Sequence, residues 1–168
     1  MTNLSCDPLN NLRAAIAEGM IDYRAIWDEV ISKFRCDLNS VHGPEHWRRV
    51  ERNGLMVAAR NGADLDVVRL FAVLHDSCRL NDYGDPEHGF RAAEYAKEMR
   101  RRLYKIDTAR FDILYQACKL HAHGHTSTES TIGACWDADR LDLGRVGVIP
   151  DRSLFSTQAG KDLLKLRS

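Results

Sequence analysis

The chain has 168 residues, with 24 Lys plus Arg against 24 Asp plus Glu and a formal net charge of zero at neutral pH. That length suits one domain with a single core, and the charge balance leaves no global field to draw the protein to a nucleic-acid polymer or an anionic membrane. No apolar run approaches the ~20 residues of a spanning helix, and the stretch from Met1 to Pro8 lacks the charged-then-apolar layout of a signal peptide. The five cysteines (Cys6, Cys36, Cys78, Cys118, Cys135) are scattered and never spaced C-x-x-C. Such usage favours reduced thiols in a cytoplasm over a disulfide framework or a cysteine zinc site.

Hydrophobic periodicity and punctuation predict helices in sequence. Asp7-Pro8 pairs an N-cap with proline at a first helical position, opening a helix that Gly19 closes. A second runs from about Met20 to Phe34, with Tyr23, Ile26, Val30 and Phe34 on one face. After a turn over Ser40 to Pro44, a third helix carries His46, Val50, Asn53 and Val57 along one stripe and ends at Asn61-Gly62. A fourth begins near Leu65. The polar segment from Ser77 to Pro86 reads as loop. A fifth helix is expected from near Pro86 to about Leu103, a sixth from Thr108 to His121, and a seventh from about Ile132. A loop holding His121, His123 and His125 separates the last two. Past Pro150 the tail reads as polar, with one short closing helix around Ala159 to Leu166. Strand signals are nearly absent, so the expectation is an all-α, single-domain bundle of about seven helices. N-terminal helices occupy 7–36, a motif-bearing core 41–145 and a polar tail 150–168.

The fourth helix holds the main chemical oddity. Val67 to Leu74 is an apolar run broken only by Arg69, and it delivers His75 and Asp76 into that apolar setting. An unpaired buried charge is costly, and a divalent cation is the simplest partner for both groups. His46 shares its helix face with apolar residues. The nucleophile elbow and the phosphate-binding P-loop are both missing, and Cys78 lacks an activating context.

The words His46-Trp47-Arg48-Arg49-Val50, Leu74-His75-Asp76 and Asp137-Ala138-Asp139-Arg140-Leu141-Asp142 resemble the HD superfamily of metal-dependent phosphohydrolases, whose ligand order is H…HD…D. The resemblance spans about Val41 to Arg145. Its longer words, from His75 to Asp82 and from Trp136 to Gly147, are similar to a subgroup of uncharacterised bacterial HD-domain proteins. It implies that His46, His75, Asp76 and Asp139 hold a divalent metal. A nitrogen–oxygen set of this kind suits Mn²⁺, Mg²⁺, Fe²⁺, Ni²⁺, Co²⁺ or Zn²⁺ without choosing among them. Asp142, three residues beyond Asp139, is placed behind the ligands, whereas Asp137 reads as a solvated helix end. His88 and His121 occupy places where HD proteins carry extra histidines for a second metal or for phosphate, leaving one site or two open; in the two-metal case Asp76 would bridge.

His42, one turn ahead of His46, is assigned the bland surface reading, and His123 and His125 are assigned to a solvated loop. Arg49, Arg79, Arg91 and Arg140 fall near proposed ligands, and Arg79 and Arg140 are the candidates for orienting a substrate phosphate. Asp76, Arg79 and Arg140 are thus the expected catalytic residues. The implied activity is hydrolysis of a small phosphorylated metabolite, with nucleotides the leading class, by metal-activated water. A homodimer is left open. Two alternatives stand beside it: a di-iron oxygenase using all six ligands, and a regulatory module that binds nucleotide without turnover.

Overall fold

A computed structural model describes residues 21–167, so Cys6 and the helix expected over 7–19 lie outside the described residues. Seven α-helices and three short 3₁₀ turns make up the regular structure, and no strand occurs among the described residues. Helix α1 covers Tyr23–Lys33, α2 Pro44–Asn61, α3 Leu65–Leu74, α4 His88–Arg100, α5 Thr108–Leu120, α6 Ser130–Arg140 and α7 Gln158–Lys165.

The caps are local. Asp22 accepts from Ala25 N, Asp64 from Val67 N, Asp107 from Arg110 N and Glu129 from Ile132 N, each satisfying an orphan first-turn amide. Helix α2 has Pro44 in its first turn and stops at Gly62, whose φ of 74° is a left-handed conformation that glycine adopts without strain.

Helix α3 forms the middle of the bundle. It packs against α1, α2, α4, α5 and α6, and every residue from Val67 to Leu74 except Arg69 is buried. A helix apolar on nearly all sides needs neighbours on all sides. The stripe His46, Val50, Asn53, Val57 of α2 is buried as its spacing predicts. Gly54 lets α2 sit against α3, since a Cβ there would lie 2.5 Å from Val68 Cγ1.

Two expectations at the C-terminal side need correction, and one holds. The helix expected from Ile132 begins two residues earlier, because Glu129 caps it. His121 caps the end of α5 as expected and also opens a 3₁₀ turn over His121–His123. The closing helix expected around Ala159 to Leu166 is α7, but the tail is more than a polar extension: Phe155 and Leu163 are buried in the core, and α7 docks on α2 and α6. The amphipathic pattern of α7 is short and preceded by an irregular segment, so propensity alone undervalues it; burial against two longer helices decides its position.

Candidate metal centre

Helix ends deliver the polar residues of the core to one place. His46 comes from the first turn of α2, His75 and Asp76 from the end of α3, His88 from the start of α4, His121 from the turn after α5, and Asp139 from the last turn of α6. His46 and His75 have no exposure, and Asp76, His88 and His121 are all buried. Their ligating atoms form three overlapping groups, His46–His75–Asp76, His75–His121–Asp139 and Asp76–His88–His121, each with its atoms within 4.8 Å of one another.

Four imidazoles share one arrangement. His46 Nδ1 lies 2.7 Å from Asp142 Oδ2. His75 Nδ1 lies 3.1 Å from Ala72 O and 3.2 Å from Phe71 O. His121 Nδ1 lies 2.7 Å from Cys118 O, and His88 Nδ1 meets Asp85 O. Each oxygen requires a proton on Nδ1, which in a neutral ring leaves a lone pair on Nε2. Yet His46 Nε2 faces His75 Nε2 at 3.1 Å, and His88 Nε2 faces His121 Nε2 at 2.9 Å. Two lone pairs at that distance repel unless an extra proton or a cation lies between them.

The carboxylates complete both halves. Asp76 Oδ2 lies 3.6 Å from His46 Nε2 and 3.7 Å from His75 Nε2, while Asp139 Oδ1 lies 3.3 and 3.8 Å from the same atoms. The other oxygen of Asp76, Oδ1, lies 3.2 Å from His88 Nε2 and 3.5 Å from His121 Nε2. Ligands ~2.1 Å from one ion are ~3.0–3.4 Å apart along the edges of an octahedron or tetrahedron, and these separations are close to or slightly above that range. The donor set fits a divalent cation, and the nitrogen-to-oxygen hydrogen bonds behind each imidazole are the outer support such ligands require.

Electrostatics favour the same species. Burial alone would raise the Asp76 pKa, but His75, His121, His42 and His88 hold the carboxyl well below the usual range. Asp139 is likewise depressed, with His46 and His75 outweighing burial. Burial pushes His75 down to about 3, keeping it neutral. Burial also disfavours imidazolium at His46 and His121, but Asp139 and Asp142 around His46, and Asp76 beside His121, more than reverse this and raise both. A cation entering the cluster therefore displaces protons, and its uptake strengthens as pH rises.

Gly89 makes the second half of the cluster sterically feasible. A Cβ at that position would lie 2.7 Å from Cys118 O and 3.3 Å from His121 Nδ1. Its absence lets the start of α4 lie against the end of α5, which brings His88 to His121.

The remaining candidates divide. Asp142 stands behind His46, also taking Arg49 Nε at 2.8 Å. Arg91 is occupied by Asp85 and Cys78 O, away from the cluster. Arg79 reaches it: Nη1 lies 3.2 Å from His88 Nε2 and 3.4 Å from Asp76 Oδ1, while Nη2 donates to Tyr83 O and Nε to Asn81 O. Arg140 lines the cavity over the cluster but donates to Leu154 O at 2.6 Å and His125 O at 2.5 Å. Both terminal nitrogens of Arg140 hold a backbone oxygen, which fixes the guanidinium at the cavity wall. His123 and His125 are exposed, stacked on each other at 5.9 Å, as a solvated loop predicts.

Two readings from the sequence fail here. His42 is no bystander: its Nδ1 lies 2.8 Å from Asp76 Oδ2, and it lines the cavity. Its i, i+4 spacing to His46 was the available signal. Asp137 is fully buried, not solvated, and accepts from Ser156 N, Thr157 N and Thr157 Oγ1 at 2.7–2.8 Å. No sequence signal reports this, because the donors lie 19 and 20 residues away.

Above the cluster opens a cavity of about 290 Å³, walled by His42, Arg79, Arg140, Arg145, Leu143 and Leu154 among others. An all-α frame with such a His/Asp cluster at its helix ends defines the HD class of fold. A crystal structure described as a predicted HD superfamily hydrolase, from an uncultured Thermotogales bacterium, matches this chain with a TM-score of 0.68. The match has 24% sequence identity and covers 86% of this chain and 83% of that one. This chain therefore has the HD-type fold. No protein-family model and no curated protein matches the sequence.

Proposed function

We propose that the protein is a metal-dependent phosphohydrolase acting on a small phosphorylated metabolite, with a nucleotide the leading class. The observation that carries this is the pairing of inward-facing Nε2 atoms on either side of one carboxylate, His46 with His75 at Asp76 Oδ2 and His88 with His121 at Asp76 Oδ1. In this reading His46, His75, Asp76 and Asp139 hold one divalent ion (Mn, Mg, Co, Ni, Zn or Fe), and Asp76, His88 and His121 hold a second. Such a cation acidifies water to a pKa of about 7 and neutralises charge growing on phosphoryl oxygens.

The chain's own residues do the rest. Asp142, Phe71 O, Ala72 O, Asp85 O and Cys118 O hold the imidazole rings in ligating orientation. Arg79 adds a fixed positive charge beside Asp76 and ties the 81–83 loop to it. Leu143, Leu154 and Phe155 wall the cavity and limit water around the bound ester.

The test is metal analysis of protein purified without added metal or chelator, followed by a panel of phosphate esters and nucleotides with Mn²⁺, Co²⁺, Ni²⁺ or Mg²⁺. Release of phosphate or pyrophosphate that EDTA stops is the expected result. The six-ligand set also supports a second reading, a di-iron oxygenase. Iron as the native metal, with O₂ consumption and no phosphate release, would select it.

A further inference from the structure

Three arginines, Arg79, Arg140 and Arg145, line the cavity above the metal cluster. A guanidinium recognises an anion through N–H groups that the protein has not already engaged. On Arg79, Nη2 donates to Tyr83 O at 3.0 Å, and Nη1 is held between Asp76 Oδ1 and His88. On Arg140, Nη1 and Nη2 each donate to one backbone oxygen, Leu154 O and His125 O, so each terminal nitrogen is tied in place and keeps one further N–H.

Arg145 differs. Its Nε donates to Val41 O at 2.8 Å and its Nη1 to Asp142 O at 3.2 Å, which fixes the plane of the fork. Its Nη2 meets no oxygen among the described residues. The polar neighbour of that nitrogen is His42 Nδ1 at 3.5 Å, itself bonded to Asp76 Oδ2. The terminal nitrogen with no oxygen partner is therefore separated by one atom, His42 Nδ1, from the carboxylate between the two halves of the cluster. Its side chain is 11% exposed and lines the cavity, so the two backbone bonds preorganise the fork there.

We infer that Arg145 is an anion-binding residue of this site, with the oxygen-free Nη2 donating to a phosphoryl oxygen of a small phosphate monoester. The inference rests on the phosphohydrolase reading and deepens it. At about 290 Å³ the cavity is at the lower end of small-molecule sites, which are ~300 Å³ and upward. It accommodates one phosphate on a small organic group. Leu143, Pro150 and Leu154 offer that group an apolar wall.

The experiment compares parent, Arg145→Gln and Arg145→Lys, each loaded with Mn²⁺, using inorganic phosphate as the calorimetric probe. Mn²⁺ content and melting temperature are read in parallel. Losing a charge-assisted bond should weaken phosphate by about tenfold or more in Arg145→Gln, at unchanged Mn²⁺ content. Arg145→Lys, which keeps the charge but loses the fork, should fall between. A purely structural brace to Val41 O and Asp142 O would be lost equally in both variants, so equal affinities in the two would overturn the inference. Parent-like affinity in Arg145→Gln would overturn it as well, and so would weakening matched by loss of Mn²⁺. If Arg145→Gln fails to fold, Arg145→Lys decides alone: a phosphate affinity equal to the parent's would refute a role for the fork, and a several-fold loss at full Mn²⁺ content would support it. Parent protein that takes up no Mn²⁺ overturns the metal centre itself. Parent that binds Mn²⁺ and phosphate, with both variants unaffected, overturns only the role of Arg145.

Discussion

Replacing Asp137 by alanine should destabilise the protein severely although the residue touches no proposed ligand. Its carboxylate is fully buried and accepts three hydrogen bonds, from Ser156 N at 2.7 Å, Thr157 N at 2.8 Å and Thr157 Oγ1 at 2.7 Å. The segment wraps it closely: a Cβ on Gly160 would lie 2.8 Å from Asp137 Cγ. Truncation strands these donors, each at a cost of about 1–3 kcal/mol, less whatever an entering water recovers. Three stranded donors, partly rehydrated, give a net loss of about 3–5 kcal/mol. At about 2–4 °C per kcal/mol for a chain of this size, melting should drop by roughly 6–20 °C. Thermal unfolding followed by circular dichroism at neutral pH reads this directly. Hydrogen exchange at Ser156 and Thr157 should rise by more than exchange in α3, because the C-terminal segment opens first. A melting temperature within about 2 °C of the parent would refute the view that Asp137 anchors this segment.

Other outcomes follow from the same geometry. Asp76→Ala should lose metal while retaining helical circular dichroism, since Asp76 sits beyond the last turn of α3 and contributes an oxygen to each half of the cluster; metal content equal to the parent's would remove it from the ligand set. Gly89→Ala should force α4 away from Cys118 O and His121, lowering metal stoichiometry from about two to about one; full stoichiometry would argue against ligation by His88 and His121. Burial alone would raise the pKa of Asp64, but bonds from Arg110 and Val67 N hold it below its ordinary value. A depressed carboxyl contributes stability above its unfolded pKa and loses it as pH falls through the folded one. Asp64→Asn, which keeps an oxygen for the cap, should therefore lose less stability than the parent between about pH 5 and pH 3; parallel acid unfolding curves would contradict this.

The sequence by itself determined the elements and the order of the candidate ligands. Periodicity of 3.6 is a local property, so the buried stripe of α2 and the apolar turns of α3 are written in residues three and four apart. Caps are equally local: Asp22, Asp64 and Asp107 each bond an amide three residues on. His75 and Asp76 stood out because polar groups ending an apolar run must find partners. Tertiary structure decided which partners they find. Asp142, one turn past Asp139, could be placed behind the ligands from its spacing, but nothing within a turn of Asp137 says that it anchors Ser156 and Thr157, nor that Asp142's partner is His46, 96 residues away. His42 meets Asp76 because α2 starts where α3 ends, a consequence of how those helices pack. Arg79, Arg140 and Arg145 look alike as residues beside a motif, and only the fold shows which backbone oxygens each guanidinium meets. A donor's availability depends on its neighbours in space, and for these side chains those neighbours come from distant parts of the chain.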